Sequence, residues 1–519
     1  MTDAPGERSR LSSGRLLARN VGLAVVGQGC AIVLAFLAVP VLVHGLGTAR
    51  FGVLTLAWLL IGYAGLFDLG LGRALTKLTS EKLGAGLGSE IPTLFWTSLV
   101  LLAGLGLVPL ALVAGLAPWL ARTVINMPPG LEGEATVAFV LLGLSIPAVL
   151  TGSALRGYLE AHQRFELTNG VTVAVSVLSY GGPALVVQFV PTLPAVVGVV
   201  VLSRYIAFAI TLALALRVTP DLRAGGRVQR SLARPLLTYG GWVTTSSLGG
   251  AIMGSLDRFA IGAILSATAV AYYATPYQAV SQMLILSAAL VGVLFPAFAL
   301  NLGQDPGRIA RLFGQGTRAA LLALFPLALV VVTWAPEILH AWLGQRFADR
   351  SAFVMQVFAV GILFNGMAQV AFGLLQSGRP DLNAKLSLAE LPFYVVGFVL
   401  AVHGFGIDGA AVAWSVRVSV DALLLAWLAR RMVPAIAPVL RELAVLTAGA
   451  VTLLAIGLVL DGPIVKTVFV LLGLALYARL GWSHVLRAEE RAMVLRRLPG
   501  RGSRPLAPPG APMPDSSRR

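Results

Sequence analysis

Long apolar stretches follow one another along this chain, and short connectors rich in arginine separate them. Fourteen stretches can be placed, near 21–45, 51–71, 92–118, 135–157, 168–190, 194–216, 237–263, 268–298, 319–336, 352–376, 386–403, 408–429, 443–460 and 464–482. Most hold roughly 18 to 28 residues, and at 1.5 Å per helical residue that length crosses a bilayer core of about 30 Å. The pattern predicts an all-α polytopic membrane protein with about 14 transmembrane helices.

Basic residues test that placement independently, because the connectors alternate in lysine and arginine content. One side holds Arg8, Arg10, Arg15 and Arg19, then Arg73, Lys77 and Lys82, then Arg156 and Arg164, then five arginines from Arg217 to Arg234. The same side continues with Arg308, Arg311 and Arg318, then Arg379 and Lys385, then Arg430, Arg431 and Arg441, and a C-terminal stretch with nine arginines. The other side holds only Arg50, Arg122, Arg346, Arg350 and Lys466. Of 39 basic residues, 31 fall on the first side, and the positive-inside rule places both termini in the cytoplasm.

A faint repeat divides the chain further. The end of the sixth span reads SRYIAFAITLALALR and that of the twelfth VRVSVDALLLAWLAR; Arg204 and Arg417 sit mid-span, each 13 residues before a boundary arginine, Arg217 or Arg430. LGTARFGVL has a weaker counterpart in LSATAVAYY. Chance similarity between low-complexity apolar segments is the alternative. Taken as a repeat, it gives two pseudo-symmetric six-helix lobes plus two C-terminal helices. The divisions are a cytoplasmic N-tail at 1–20, an N-lobe at 21–217, an inter-lobe loop at 218–236, a C-lobe at 237–431, the added helices at 432–484, and a basic tail at 485–519 expected to be disordered.

With 519 residues, 57% hydrophobic and 12% charged, and a mean hydropathy of +0.84, the composition excludes a water-soluble fold. A charge of +16 would suggest nucleic acid in a soluble chain; here its distribution speaks for membrane orientation, and no nucleic acid is expected. The lone Cys30 allows no intramolecular disulfide and no cysteine metal site. No P-loop is present, so no nucleotide, metal or other cofactor is expected. The basic N-terminal residues precede about 25 apolar residues with no clean cleavage site, which reads as a retained helix rather than a signal peptide. No connector has room for a soluble catalytic domain.

Four segments carry a likeness. They are PVLVHGLGTARFGVLTLAWLLIGYAGLFDLGLGRALTK from Pro40, YGGWVTTSSLGGAIMGSLDRFAIGAILSATAVAYYA with Asp257-Arg258, VLFPAFA with Pro296, and GRPDLNAKL followed by FGIDGAAVAWSV. In order and spacing, over most of the chain, they resemble the Wzx-type oligosaccharide flippases of the multidrug/oligosaccharidyl-lipid/polysaccharide (MOP) exporter superfamily, which also holds multidrug extruders and lipid II flippases. The resemblance implies a transporter, not an enzyme. By alternating access it would carry an undecaprenyl-diphosphate-linked glycan across the bacterial inner membrane for surface or exopolysaccharide synthesis. Implied partners are that glycan and membrane lipids, with a glycan polymerase and glycosyltransferases as candidate protein partners. The chain departs from lipid II flippases in having Asn20 and Gln28 where an arginine–aspartate pair stands early in the first span. It also lacks an obvious ion-coordinating acidic pair like that of some multidrug extruders. A lipid II flippase, a cation-coupled exporter of amphipathic molecules and, below them, a membrane glycan polymerase or ligase are the competing readings; His44, His340, Glu337 and Asp349 in the outer loops form no catalytic constellation.

A charge at mid-bilayer costs at least about 2.5 to 3.5 kcal/mol, so each one inside a span is a functional candidate. Arg204 has no acid near it in sequence; it could hold a diphosphate in a wet cavity, or snorkel, or pair with another helix. Arg417 has Asp421 at i+4 and reads equally as a locked ion pair or a substrate contact. Asp257 and Arg258 diverge by about 100° around a helix, so they should meet different neighbours at a gate or an interfacial anchor. Asp68 with Arg73 is a candidate cytoplasmic gate or ordinary boundary solvation, and Glu390 a proton-coupling acid or a boundary charge. Gln278 and Gln282, and Asn365, Gln369 and Gln376, form polar stripes that suit sugar hydroxyls or interhelical hydrogen bonds. Gly249, Gly250 and Gly254, with Pro40, Pro183, Pro296 and Pro326, are compatible with rocking lobes but occur in any helical membrane protein.

Overall fold

With so few polar side chains to satisfy backbone groups in lipid, the chain must pair its N–H and C=O groups within each segment, and among the described residues every regular element is helical. The computed structural model describes residues 14–64, 68, 70–226, 228–229 and 256–480. Residues 237–255 of the seventh span, with Gly249, Gly250 and Gly254, residues 227 and 230–236 of the 218–236 loop and the 485–519 tail lie outside the described residues.

The N-terminal half comprises α1 (Gly14–Leu46), α2 (Thr48–Ala64), α3 (Leu71–Gly84), α4 (Ile91–Trp119), α5 (Glu132–Ala161), α6 (Phe165–Ser176) and α7 (Leu193–Val218). Helix α6 runs through a π-helical turn, Val177–Gly181, into Gly182–Val186. The rest comprises α8 (256–264), α9 (Ala267–Ser281), α10 (Leu284–Asn301), α11 (Pro306–Leu343), α12 (Gln345–Gly378), α13 (Pro380–Met432), α14 (Ala437–Leu458) and α15 (Pro463–Leu480). Among the described residues ten helices are long and apolar enough to cross a membrane, with Thr48–Gly62 a shorter apolar one.

One difference from the sequence expectation stands out. Where the sequence places a single span at 51–71, α2 is described to Ala64 and a separate helix, α3, starts at Leu71 after Gly70. Helix α3 is amphipathic, buries Leu71, Ala74 and Leu75 against α5 and α4, and keeps Arg73 exposed. The eleventh and twelfth spans are two helical arms of α13, joined by a tight break at Gly406 where the sequence places their boundary. At 1.5 Å per residue a straight α13 of 53 residues would be about 80 Å long, far beyond one bilayer crossing. It doubles back at Gly406, whose φ of 61° and ψ of −138° suit glycine, so that Arg417 reaches the ring of Tyr394 at 5.1 Å.

Polar contacts fix the ends of the helices. Arg50 grips Glu134 through two bonds of 2.8 and 2.7 Å, and Glu134 also accepts the backbone N–H of Leu193, joining α2, α5 and the start of α7. Lys466 donates to Glu337 at 2.7 Å, tying α15 to α11. The segment after α7 is strapped to the N-terminal half. Tyr158 donates to Thr219 Oγ1 at 2.8 Å, Trp96 to Leu222 O at 3.1 Å, and Gln229 N–H to Thr97 Oγ1 at 3.0 Å.

Candidate substrate cavity

The two halves meet mainly where α2 packs on α9 and α1 touches α11, and beneath that contact lies a cavity of about 610 Å³. Phe36, Phe51, Trp58, Tyr180 and Trp342 give it aromatic walls, and Thr55, Thr275, Gln278 and Gln282 add neutral polar groups. Arg258 is the one charged residue among its described lining residues. Its guanidinium lies 4.8 Å from the Tyr277 ring centre, and its Nε is buried with no described hydrogen-bond partner. A cation held by a ring face keeps its forked donors free for an anion's oxygens.

Toward the Leu46 end of α1, the lining gives way to buried packing, with Leu42, Val43 and Leu46 at most 6% exposed. Phe36 and Trp342 stack with ring centres 4.5 Å apart, and Trp342 Nε1 donates to Phe36 O at 2.8 Å. Asn126, between α4 and α5, pairs with the turn between α8 and α9. Its N–H donates to Gly262 O, its C=O accepts from Ala267 N, and its side chain donates to Ala263 O at 2.8 Å.

Of the residues singled out from sequence, Arg258, Gln278 and Gln282 line this cavity. Arg204, Arg417, Asn365 and Gln369 are not among its described lining residues. Arg204 sits behind the wall: its charge acts on Tyr180, which does line the cavity, and its Nε is buried without a described partner. The ion pair expected between Arg417 and Asp421 does not close, because the Arg417 guanidinium crosses to the face of Tyr394 on the other arm of α13. Arg417 is nonetheless within electrostatic reach of Glu390, Asp421 and Asp257. Glu390 keeps one buried oxygen unpartnered.

Asp257 and Arg258 diverge as expected. The Asp257 carboxylate, 1% exposed, accepts from the Tyr273 hydroxyl at 2.9 Å and from the Arg258 backbone N–H at 2.8 Å, while the Arg258 side chain turns to the cavity. Asp68 and Arg73 form no ion pair. Asp68 accepts from Gly70 N–H at 2.6 Å and from Ser153 on α5 at 3.2 Å, which uses both oxygens inside the N-terminal half. Sequence reasoning missed the aromatic walls and Asn126, since an aromatic in an apolar span reads as packing and a single asparagine before NMPPG's prolines reads as a turn.

The fold matches lipid II flippase MurJ in its inward closed conformation, with a TM-score of 0.67 at 12% identity over 90% of this chain and 100% of that one. It equally matches an inward-facing MATE multidrug transporter of the MOP superfamily, with a TM-score of 0.66 at 15% identity over 80% and 99%. The polysaccharide biosynthesis protein family matches residues 41–352, and the chain belongs to that family. A Shigella flexneri protein named for O-antigen transport is 28% identical over 395 residues, 75% of this chain and 92% of its own. The resemblance drawn from the four sequence segments is thereby borne out.

Proposed function

We propose that this protein is a flippase that moves undecaprenyl-diphosphate-linked oligosaccharide units across the bacterial inner membrane by alternating access between two six-helix lobes, 21–217 and 237–431. Helices 432–484 are added to these lobes, and both termini face the cytoplasm. The observation that carries the reading is the cavity between the halves, bounded at one end by buried packing, with Arg258 the one charged group among the amides and rings of its described lining residues. Membership of the polysaccharide biosynthesis family and the relative named for O-antigen transport support it. The repeat gains support from the surroundings of the two arginines: the charge of Arg204 acts on Tyr180 of the preceding span, and Arg417 lies over the ring of Tyr394 of its own preceding span.

In this mechanism Arg258 takes the diphosphate, and Gln278 and Gln282 meet the proximal sugar hydroxyls. Arg204 raises the positive potential behind Tyr180, and Asn365 and Gln369 serve the same path in another state. Asp257, Glu390 and Asp421, gathered around Arg417, are the place for ion coupling, with Asp68 and Arg73 at the cytoplasmic boundary. The lipid tail stays in the bilayer.

The aromatic walls favour one other reading, export of amphipathic cations, which ring faces attract. Arg258 opposes it by like-charge repulsion. Transfer of a fluorescent undecaprenyl-diphosphate oligosaccharide in proteoliposomes separates the two. Wild type should transfer the lipid, Arg258→Gln should lose at least tenfold, and Arg204→Ala should fall as well, with protein abundance unchanged. Export of an amphipathic cation without lipid transfer would replace the flippase with the extruder.

A further inference from the structure

The end of the cavity bounded by buried packing is built from unlike parts. Below, the plug is dry: Phe51, Leu54, Leu56 and Ile125 from the N-terminal half pack into one core with Ile261, Ala267, Val270 and Ala271 from the other, all at most 3% exposed. The attraction in apolar contact of this kind is non-directional. Above it, at the exposed rim, one residue supplies directional bonds. Asn126 offers its backbone N–H to Gly262 O at 3.1 Å, takes Ala267 N–H on its own C=O at 3.1 Å, and places its amide nitrogen 2.8 Å from Ala263 O. Three bonds from one residue to the last turn of α8 and the first residue of α9 fix position and angle together.

The approach of the halves there is also limited by backbone. Gly52 on α2 lies so close to the first turn of α9 that a Cβ in its place would stand 1.8 Å from Ala267 O. Ala267 is therefore held from two directions, its N–H by Asn126 and its C=O side by Gly52. The turn carrying it opens directly from α8, where Arg258 faces the cavity.

We propose that Asn126 and Gly52 form the latch of the outer gate: release of substrate to the far side requires the Asn126 bonds to the 262–267 turn to break, and their strength sets how often the cavity opens outward. This rests on the flippase reading for direction and orientation, and on the bonds themselves for the latch. Asn126 is a positioning residue that never meets the substrate. Because its turn is covalently continuous with α8, parting of the latch moves Arg258 with it, so opening and loss of the anion contact are joined in one displacement.

The test replaces Cys30 by serine, leaving no native cysteine, and places one reporter by Thr55→Cys on the cavity wall. Labelling by a membrane-impermeant maleimide is then followed from outside in intact cells and from the cytoplasmic side in inverted vesicles. The parent should label from the cytoplasmic side and hardly from outside. Asn126→Ala, which adds no atom and removes one neutral hydrogen bond, should raise outside labelling about fivefold. Gly52→Ala should raise it further; if that variant does not accumulate, Asn126→Ala decides alone. In the Cys30→Ser background without the reporter, an Asn126→Cys, Ala263→Cys pair should cross-link on oxidation, abolish lipid transfer, and recover it on reduction. Unchanged outside labelling in Asn126→Ala, or wild-type transfer by the cross-linked protein, would overturn the latch. Labelling needs no substrate, so a failed flippase reading would appear separately, as an intact latch in a protein that moves no lipid-linked glycan.

Discussion

Asp257 shows how one buried charge is made tolerable: a carboxylate at 1% exposure survives because a phenol and a backbone amide each donate to it. Removing the phenolic donor leaves one oxygen unsatisfied in a dry site. Tyr273→Phe is expected to destabilise the protein by about 1.5 to 3 kcal/mol, the range for a hydrogen bond to a charged group. Thermal unfolding in detergent reads this as a lowered midpoint, whereas Tyr272→Phe beside it should leave the midpoint unchanged. Arg204 and Arg417 follow another logic: each has a buried Nε with no described hydrogen-bond partner, Arg204 acts on the Tyr180 phenol, and Arg417 rests over the Tyr394 ring without closing an ion pair to the acids within its reach. If the ring is what retains the Arg417 guanidinium, Tyr394→Leu should impair transfer more than Asp421→Asn does; the reverse order would restore the ion pair read from the sequence.

At the level of elements, Gly406 and Gly366 carry opposite burdens. Gly406 lies at positive φ where α13 doubles back, so Gly406→Ala should cost about 1 to 3 kcal/mol through backbone strain. Gly366 is an ordinary helical residue, yet a Cβ there would meet Leu324 Cδ1 at 2.1 Å and Ser287 Oγ at 2.7 Å. Gly366→Ala should therefore cost a similar amount by overpacking, roughly 1 to 3 kcal/mol, and Leu324→Ala in the same chain should relieve part of it. Unfolding midpoints of the two single variants and the double variant separate strain from crowding. Neither cost can be read from the sequence, where both glycines sit in apolar runs. Helical character, in contrast, was legible because lipid leaves the backbone no other partner. Helix α3 escaped notice because its arginine and lysines mark a loop in a hydropathy profile, although Leu71, Ala74, Leu75 and Leu78 recur at helical spacing. Arg258, Gln278 and Gln282 could be found as polar interruptions of apolar spans; the cavity's rings could not, since only tertiary placement separates a wall from a core.

Across the whole molecule, the distribution of arginine and lysine predicts orientation: tags at either end should resist protease added outside intact cells and be cut once the membrane is permeabilised. Cleavage of an N-terminal tag from outside would reverse the latch and the cavity together. The strap after α7 bears on how such a chain is made. Tyr158, Trp96 and Thr97 hold Thr219, Leu222 and Gln229, so every partner of these three bonds lies within the first 229 residues, and the first half is expected to fasten itself without the second. Supplied as two separately translated pieces, 1–229 and 230–519, the protein is expected to assemble in the membrane and regain lipid transfer, while a first piece ending at Val218 should be degraded for want of its fastening.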